Sequence, residues 1–209
     1  SVTEIGWDAF YGCTGLTSIE IPDSVTKIGV GAFSGCTGLT SIKIPDSVTK
    51  IEKYAFEGCK NMSSVTLPES ISRLGRASFK DCERLTELAL PKCLDECRDA
   101  FVGCGNIRKI VVGQKVKSIR GVIATPENIK EVDLRDDAWK EIHNCMFEGC
   151  SNIAAVKIPD GVKRIGFKAF EGCALLGEVR IPEGVTEIGS DAFKVSRTEL
   201  LDIFIILCR

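Results

Sequence analysis

With 209 residues, 44% of them hydrophobic and 27% charged, the chain can build one ordinary domain around a large core, which excludes a disordered polypeptide. A formal net charge of −2 supplies no basic excess for a broad nucleic-acid surface, so no nucleic-acid partner is expected. No apolar run approaches the roughly 18 residues of a membrane-spanning helix, so no membrane span is expected.

The first element in chain order is Ala9-Phe10-Tyr11-Gly12-Cys13, and it recurs. Copies lie at residues 32–36, 55–59, 100–104 and 169–173, with variants Ser78-Phe79-Lys80-Asp81-Cys82 and Met146-Phe147-Glu148-Gly149-Cys150. A last copy, Ala192-Phe193, lacks the glycine and cysteine. A second block follows each cysteine in the form Leu39-x-x-Ile42-x-Ile44-Pro45. Its copies begin at Leu16, Met62, Leu85, Ile107, Ile129, Ile153 and Leu176, with steps of 22 to 24 residues. The third block, Val48-x-x-Ile51, recurs as Val25/Ile28, Ile71/Leu74, Val116/Ile119, Val162/Ile165 and Val185/Ile188. From Cys104 to Cys150 is 46 residues, or two periods, so one disguised repeat lies between them, visible as Ile129-x-x-Val132-x-Leu134. The opening Ser1-Val2-Thr3-Glu4 lacks the regions of a secretory signal, but it reads as the interior of a repeat, so that lack says little.

Each block has a physical reading. Ile42 and Ile44 alternate with Lys43, which predicts a short strand with one buried face. Proline cannot donate to a ladder and ends it, and the Asp/Glu-Ser/Gly pair that follows is turn chemistry. Val-x-x-Ile predicts a second short extended piece. Ala-Phe-x-Gly-Cys predicts one turn of helix closed by glycine, with Phe filling the centre of the coil. One such repeat cannot bury its apolar side alone, whereas stacked repeats cover one another. The chain is therefore expected to be a repeat solenoid, a single domain over 1–209 of about eight to nine turns of about 23 residues, with a terminal strand or cap at 195–209. Phe10, Phe33, Phe56, Phe79, Phe101, Phe147, Phe170 and Phe193 should form one internal column.

The consensus Ile-Pro-Asp-Ser-Val-Thr-x-Ile-Gly-x-x-Ala-Phe-x-Gly-Cys-x-x-Leu-Thr-Ser-Ile resembles the BspA-type leucine-rich repeat family. The match covers nearly the whole chain and is strongest at 1–90 and 146–193. The resemblance implies a leucine-rich-repeat-like right-handed coil with a parallel β-sheet along one face, short strands and short helical turns elsewhere. It also implies surface or secreted proteins of anaerobic bacteria and parasitic protists, some implicated in adhesion to host matrix proteins or to other cells. It implies no shared catalytic residue.

Residues 91–145 depart from the pattern. The segment from Pro91 to Cys97 is one residue short before Phe101, and Cys97 stands where Ile is usual. The turn at 113–128 replaces Phe with Ala124 or a neighbour, and the next turn has Trp139 in place of Val and no proline. This is drift in a tolerant array, or a specialised patch or bend. The run Leu200-Leu201-Asp202-Ile203-Phe204-Ile205 keeps the strand template one residue late, with Phe204 outward. Such an apolar edge is a cap, a self-association site or the cut end of a longer solenoid.

Seven of the eleven cysteines occupy one column, Cys13, Cys36, Cys59, Cys82, Cys104, Cys150 and Cys173. Recurring once per turn, with no Cys-x-x-Cys spacing, they are expected to be buried, reduced and metal-free core residues. Cys93 and Cys97 are a possible local pair. His143 is the sole histidine, and no Ser or Cys near it makes a nucleophile–base arrangement. No catalytic residue, metal site or cofactor is expected.

What remains is the outward face of the strands. One column is Ser18, Ser41, Ser64, Glu87, Lys109, Glu131, Ala155, Glu178; the other is Glu20, Lys43, Thr66, Ala89, Val111, Asp133, Lys157, Arg180. A repeated scaffold with varied outward residues is how solenoids build recognition faces, although a merely solvated face reads the same way. The outward columns hold no clustered aromatics, so no carbohydrate or single-strand nucleic-acid platform is evident. The expected function is a non-catalytic protein-binding or adhesion module at a cell surface or secreted. The alternative is an intracellular, cytoplasmic interaction scaffold on the same solenoid.

Overall fold

A computed structural model, which describes residues 1–134, 138–194 and 204–207, turns the repeat phase into a coil of stacked turns. Two compact units form: Ser1–Ile107 with Gly121–Ala124, and Arg108–Arg120 with Thr125–Arg209. The first contains β1 (Glu4–Ile5), β2 (Lys27–Ile28), β3 (Ser41–Lys43), β4 (Lys50–Ile51), β5 (Ser64–Thr66), β6 (Arg73–Leu74) and β7 (Glu87–Ala89). The second contains β8 (Lys109–Val111), β9 (Glu131–Asp133), β10 (Glu141–Ile142), β11 (Ala155–Lys157), β12 (Arg164–Ile165), β13 (Glu178–Ile181), β14 (Glu187–Ile188) and β15 (Phe204–Leu207).

Each turn has three sides. The Leu-x-x-Ile-x-Ile block supplies the first, where β3 pairs parallel with β5 and Ile42 sits opposite Val65. Equivalent parallel pairs are β8 with β9, and β11 with β13. The corner that follows is a turn on proline: Val25, Val48 and Ile71 each donate an amide to the carbonyl of Pro22, Pro45 and Pro68, at 2.9, 3.0 and 3.1 Å. Serine two residues after the proline ties the corner to the turn before it. Ser47 Oγ donates to the Val25 carbonyl at 2.6 Å and Ser70 Oγ to the Val48 carbonyl at 2.8 Å. The second side is the Val-x-x-Ile block, a parallel sheet β1-β2-β4-β6 in the first unit and β10-β12-β14 in the second.

The third side differs from expectation. Ala-Phe-x-Gly-Cys is not a helical turn but two successive tight turns. Among the described residues the one helical element is a 3-10 turn, Pro126–Asn128. Tyr11 and Cys13 donate back to the Asp8 and Phe10 carbonyls, while Asp8, Phe10 and Gly12 donate onward to Val30, Ala32 and Ser34 of the next turn at 2.8–3.0 Å. Two residues per turn, two before and two after Phe, are left-handed: Gly31 (φ 62°) with Gly35 (φ 74°), and Tyr54 (φ 61°) with Gly58 (φ 70°). A right-handed helix cannot survive two left-handed residues in five.

The core is a stack of phenylalanine rings. Phe10, Phe33, Phe56, Phe79 and Phe101 lie nearly parallel with centroids 4.9–5.1 Å apart, close to the ~4.8 Å strand spacing. In the second unit Phe147, Phe170 and Phe193 stack at 5.1 and 5.2 Å. The six inner rings are fully buried, and Phe10 and Phe193 are half-buried. Each buried ring contributes about 1.5–3 kcal/mol of burial. The turn at 113–128 lacks its ring: Val122 and Ile123 are buried there while Ala124 faces solvent. The Phe101 amide donates to the Val122 carbonyl as the Phe79 amide does to that of Ala100, so Val122 takes the Ala/Ser position and buried Ile123 the position of the ring. In the second unit Met146 takes the Ala/Ser position and Trp139, 1% exposed, the Val position.

β15 pairs parallel with β13, Phe204 opposite Glu178 and Ile205 opposite Val179. That register is two residues later than the template predicts; Leu200 to Ile203 lie outside the described residues.

Candidate binding face

The two outward columns lie in register where strands pair: Ser41 opposite Ser64, Lys43 opposite Thr66, Lys109 opposite Glu131, Ala155 opposite Glu178 and Lys157 opposite Arg180. Ser41, Lys43, Ser64, Thr66, Glu87, Ala89, Glu131, Asp133, Ala155, Lys157 and Arg180 are exposed, and Lys109 is half-buried. Ser18 and Glu20 are also exposed, although their segment forms no strand. Lys109 holds Glu131 at 2.8 Å. Lys43, Lys157 and Arg180 form no ion pair among the described residues. Val111 departs from the expected face, being only 9% exposed. Its strand, Lys109–Val111, leads straight into Val112, so Ile110-Val111-Val112 loses polar alternation and burial of a third apolar side chain is favourable.

The second sheet carries a feature that reading the first sheet alone misses, a ladder of opposite charges across turns. Lys27 Nζ meets Glu4 of the turn before at 2.8 Å and Glu52 of the turn after at 3.9 Å, and Arg73 meets Glu96 at 2.7 Å, while Lys50 meets Glu52 of its own turn at 2.6 Å. In the second unit Arg164 bridges Glu187 at 3.1 Å and Glu141 at 3.3 Å, and His143 Nδ1 lies 2.7 Å from Glu141. Hydrogen bonding to Glu4 raises the pKa of Lys27, and bonding to Glu187 raises that of Arg164. The signal was available in the column Lys27, Lys50, Arg73 beside Glu4, Glu52 and Glu96.

The cysteine column packs as small core residues with one job each. Cys36, Cys59, Cys82, Cys104 and Cys173 Sγ–H donate to the carbonyls of Phe10, Phe33, Phe56, Phe79 and Phe147 at 3.0–3.3 Å. Burial pushes the Cys59 and Cys173 thiols up to about 12, away from the reactive thiolate. Cys13 corrects the expectation that all seven are buried: it is exposed, because no turn of the structure stacks on the side where the later cysteines meet a phenylalanine carbonyl. All ten described cysteines are free, including exposed Cys93 and half-buried Cys97. Among the described residues no three His, Cys, Asp or Glu side chains converge as metal ligands would. No helix there is long and apolar enough to cross a membrane.

A family model described as a BspA type leucine rich repeat region matches the chain in six copies over residues 3–123 and 124–205. The chain is similar to the crystal structure of a leucine-rich repeat protein of T. pallidum, at 28% identity, covering 84% of this chain and 72% of that one, with a TM-score of 0.54. A leucine-rich repeat protein from Bacteroides ovatus aligns at 26% identity over 93% of this chain and 68% of that one, with a TM-score of 0.52. One from Eubacterium ventriosum, at 21% identity over 82% of this chain and 43% of that one, shares the fold with a TM-score of 0.51. No curated protein matches the sequence.

Proposed function

The chain belongs to the BspA-type leucine-rich repeat family, and we propose that it is a non-catalytic module that binds a protein partner at a cell surface or after secretion. The observation that carries this reading is the first-sheet face. Its outward residues are in register and mostly exposed, and they change chemistry from rung to rung. Lys157 and Arg180 stand side by side on that face without an ion pair among the described residues, which leaves their charge to a partner. Such rim charges steer association and set its salt dependence.

The test is a binding screen of the intact chain against extracellular-matrix and cell-surface proteins, repeated with Lys157→Glu/Arg180→Glu. Loss of affinity by about tenfold or more in the double variant supports the face. Undiminished binding moves the site elsewhere, and no binder among such proteins counts against the surface reading.

An intracellular scaffold on the same solenoid is favoured by one observation, the ten free cysteines, since oxidising compartments convert neighbouring thiols to disulfides. Thiol titration of denatured protein taken directly from its source separates the two. A full complement of thiols fits a reducing or anaerobic setting, and several disulfides fit an oxidising one.

A further inference from the structure

The corner that carries the left-handed residues contains a site of a different kind from the sheet face. On three consecutive turns of the first unit the position two before Phe is Tyr54, Ala77 and Asp99, with φ of 61°, 56° and 57°. Ladder bonds fix the stacking: the Tyr54 amide donates to the Arg76 carbonyl at 3.3 Å and the Ala77 amide to the Asp99 carbonyl at 3.1 Å. The middle residue is an alanine, so the column is stepped down between a tyrosine and an aspartate two rungs, or roughly 10 Å, apart. The result is a notch of about 240 Å³ lined by Tyr54, Arg76, Ala77, Lys80, Asp99 and Val102. That is below the ~300–1,000 Å³ of small-molecule pockets and suits a single protruding side chain.

The charge at its mouth is unbalanced. Arg76 and Arg98 both point Nε at the same Asp99 oxygen, at 3.4 and 3.9 Å, so one carboxylate faces two guanidinium groups. Their side chains are 70% and 92% exposed. Lys53 on the preceding turn is exposed and extends the basic row. Lys80 is balanced by Glu57 at 2.7 Å and Asp81 at 3.6 Å. Tyr54, 40% exposed, offers its ring as a wall. Arginine and tyrosine are the residue types that dominate binding energy at interfaces.

We propose that this notch receives one Asp or Glu side chain of a partner protein. Arg76 exchanges its long contact to Asp99 for a paired carboxylate, and the stem of the incoming residue lies on Tyr54. The inference rests on the protein-binding reading and adds a second, acid-specific contact on another side of the coil. A sugar fits less well: the wall has one ring, and the acceptor Asp99 is already engaged by two arginines.

The test is amide chemical-shift mapping of the intact chain at low salt, titrated with a short acetylated Gly-Asp-Glu-Gly amide and with the Gly-Lys-Lys-Gly equivalent. Ala77→Tyr fills the notch with the side chain the neighbouring turn already carries at the same backbone conformation. Unchanged shifts elsewhere in that variant report that it folds. The expected result is shifts confined to residues 76–80 and 98–102, from the acidic peptide alone. They vanish in Ala77→Tyr, weaken about tenfold in Arg76→Glu and fade with added salt. Shifts elsewhere only, or equal shifts in Ala77→Tyr, overturn the proposal. So does a response of the notch to sialyllactose, which carries a carboxylate on a sugar, without one to the peptide. Partner binding that depends on Lys157 and Arg180 but not on Ala77 overturns the notch and leaves the sheet-face reading standing.

Discussion

Ser78 stands alone in a column otherwise filled by small or apolar side chains, and its hydroxyl is fully buried without a hydrogen-bond partner. A buried unpaired hydroxyl costs about 1–3 kcal/mol, and alanine is what the adjoining turns use. Ser78→Ala is therefore expected to stabilise the chain by about 1 kcal/mol, read as a higher urea midpoint at unchanged slope. The thiols act in the opposite direction on a second variable, pH. Burial raises Cys59 from 9.0 to about 12 and Cys97 to about 11. The folded chain holds these protons to higher pH than the unfolded chain does. Their contribution is therefore complete below about pH 9 and is lost as pH rises through 11 and 12. Stability should fall on going from about pH 8 to about pH 10, by up to about 1.4 kcal/mol per pH unit for each such thiol. Cys59→Ala should start less stable but decline less steeply, and a pH-independent urea midpoint in the parent would show that burial does not hold the protons. The Phe column and the Cys column that holds Cys59 were legible because each recurs at one phase of the period. Ser78 was visible too, as the residue replacing Ala in its block, but that its hydroxyl finds no partner depends on packing that no single block encodes.

The elements were legible to different degrees for reasons that lie in the backbone. Strand and proline corner each carry their own signal, alternation and a missing donor, and in the regular turns both fell where the pattern placed them; the blocks at Leu16 and Val116 form no strand, and the last strand pairs two residues late. The third side did not, because its first left-handed position, two before Phe, is filled by Asp8, Tyr54, Ala77, Asp99, Cys145, Lys168 and Asp191, and glycine marks it only at Gly31. Without a glycine to announce it, Ala-Phe-x-Gly-Cys reads as a helical turn. The stacking bonds to the next turn enforce the strained conformation instead. Left-handed backbone costs a side-chain-bearing residue about 1–2 kcal/mol. Cys145, at φ 54°, keeps its amide bond to the Phe167 carbonyl at 2.9 Å whatever its side chain. Cys145→Gly is expected to gain about 1 kcal/mol, after the greater freedom of glycine in the unfolded chain is set against the relieved strain. A lowered melting temperature in that variant would mean that the thiol contributes more in place than the backbone strain removes.

At the scale of the whole molecule, repeat arrays derive stability from each turn and from its contacts with its neighbours, so a turn poor in both opens first. Residues 113–128 meet that description on two counts. Their third block, Val116-x-x-Ile119, forms no strand, and the Ile119 amide instead donates to the Met146 carbonyl at 2.9 Å. Their phenylalanine is missing, and the stacked rings stop at Phe101 and resume at Phe147. Losing a buried Phe costs about 3–5 kcal/mol when nothing replaces it. Ile123 fills the position of the ring with a smaller side chain, and in the second unit the indole Nε1 of Trp139 is buried without a partner. By contrast residues 39–60 carry a regular series of bonds to the turns on either side: Thr49 to Thr26, Glu52 to Ile28, Tyr54 to Arg76, Phe56 to Ser78 and Gly58 to Lys80, at 2.7–3.3 Å. Native-state hydrogen exchange should therefore find the amides of 113–128 exchanging faster than those of 39–60, at least tenfold for the ladder positions, on the order of 1.4 kcal/mol less protection. Trp139→Val, which restores the residue usual in that column, should widen the gap, because the surrounding space is filled to the volume of an indole and a valine would leave a cavity. Equal exchange in the two segments would mean that the larger side chains have rebuilt a turn as firm as its neighbours.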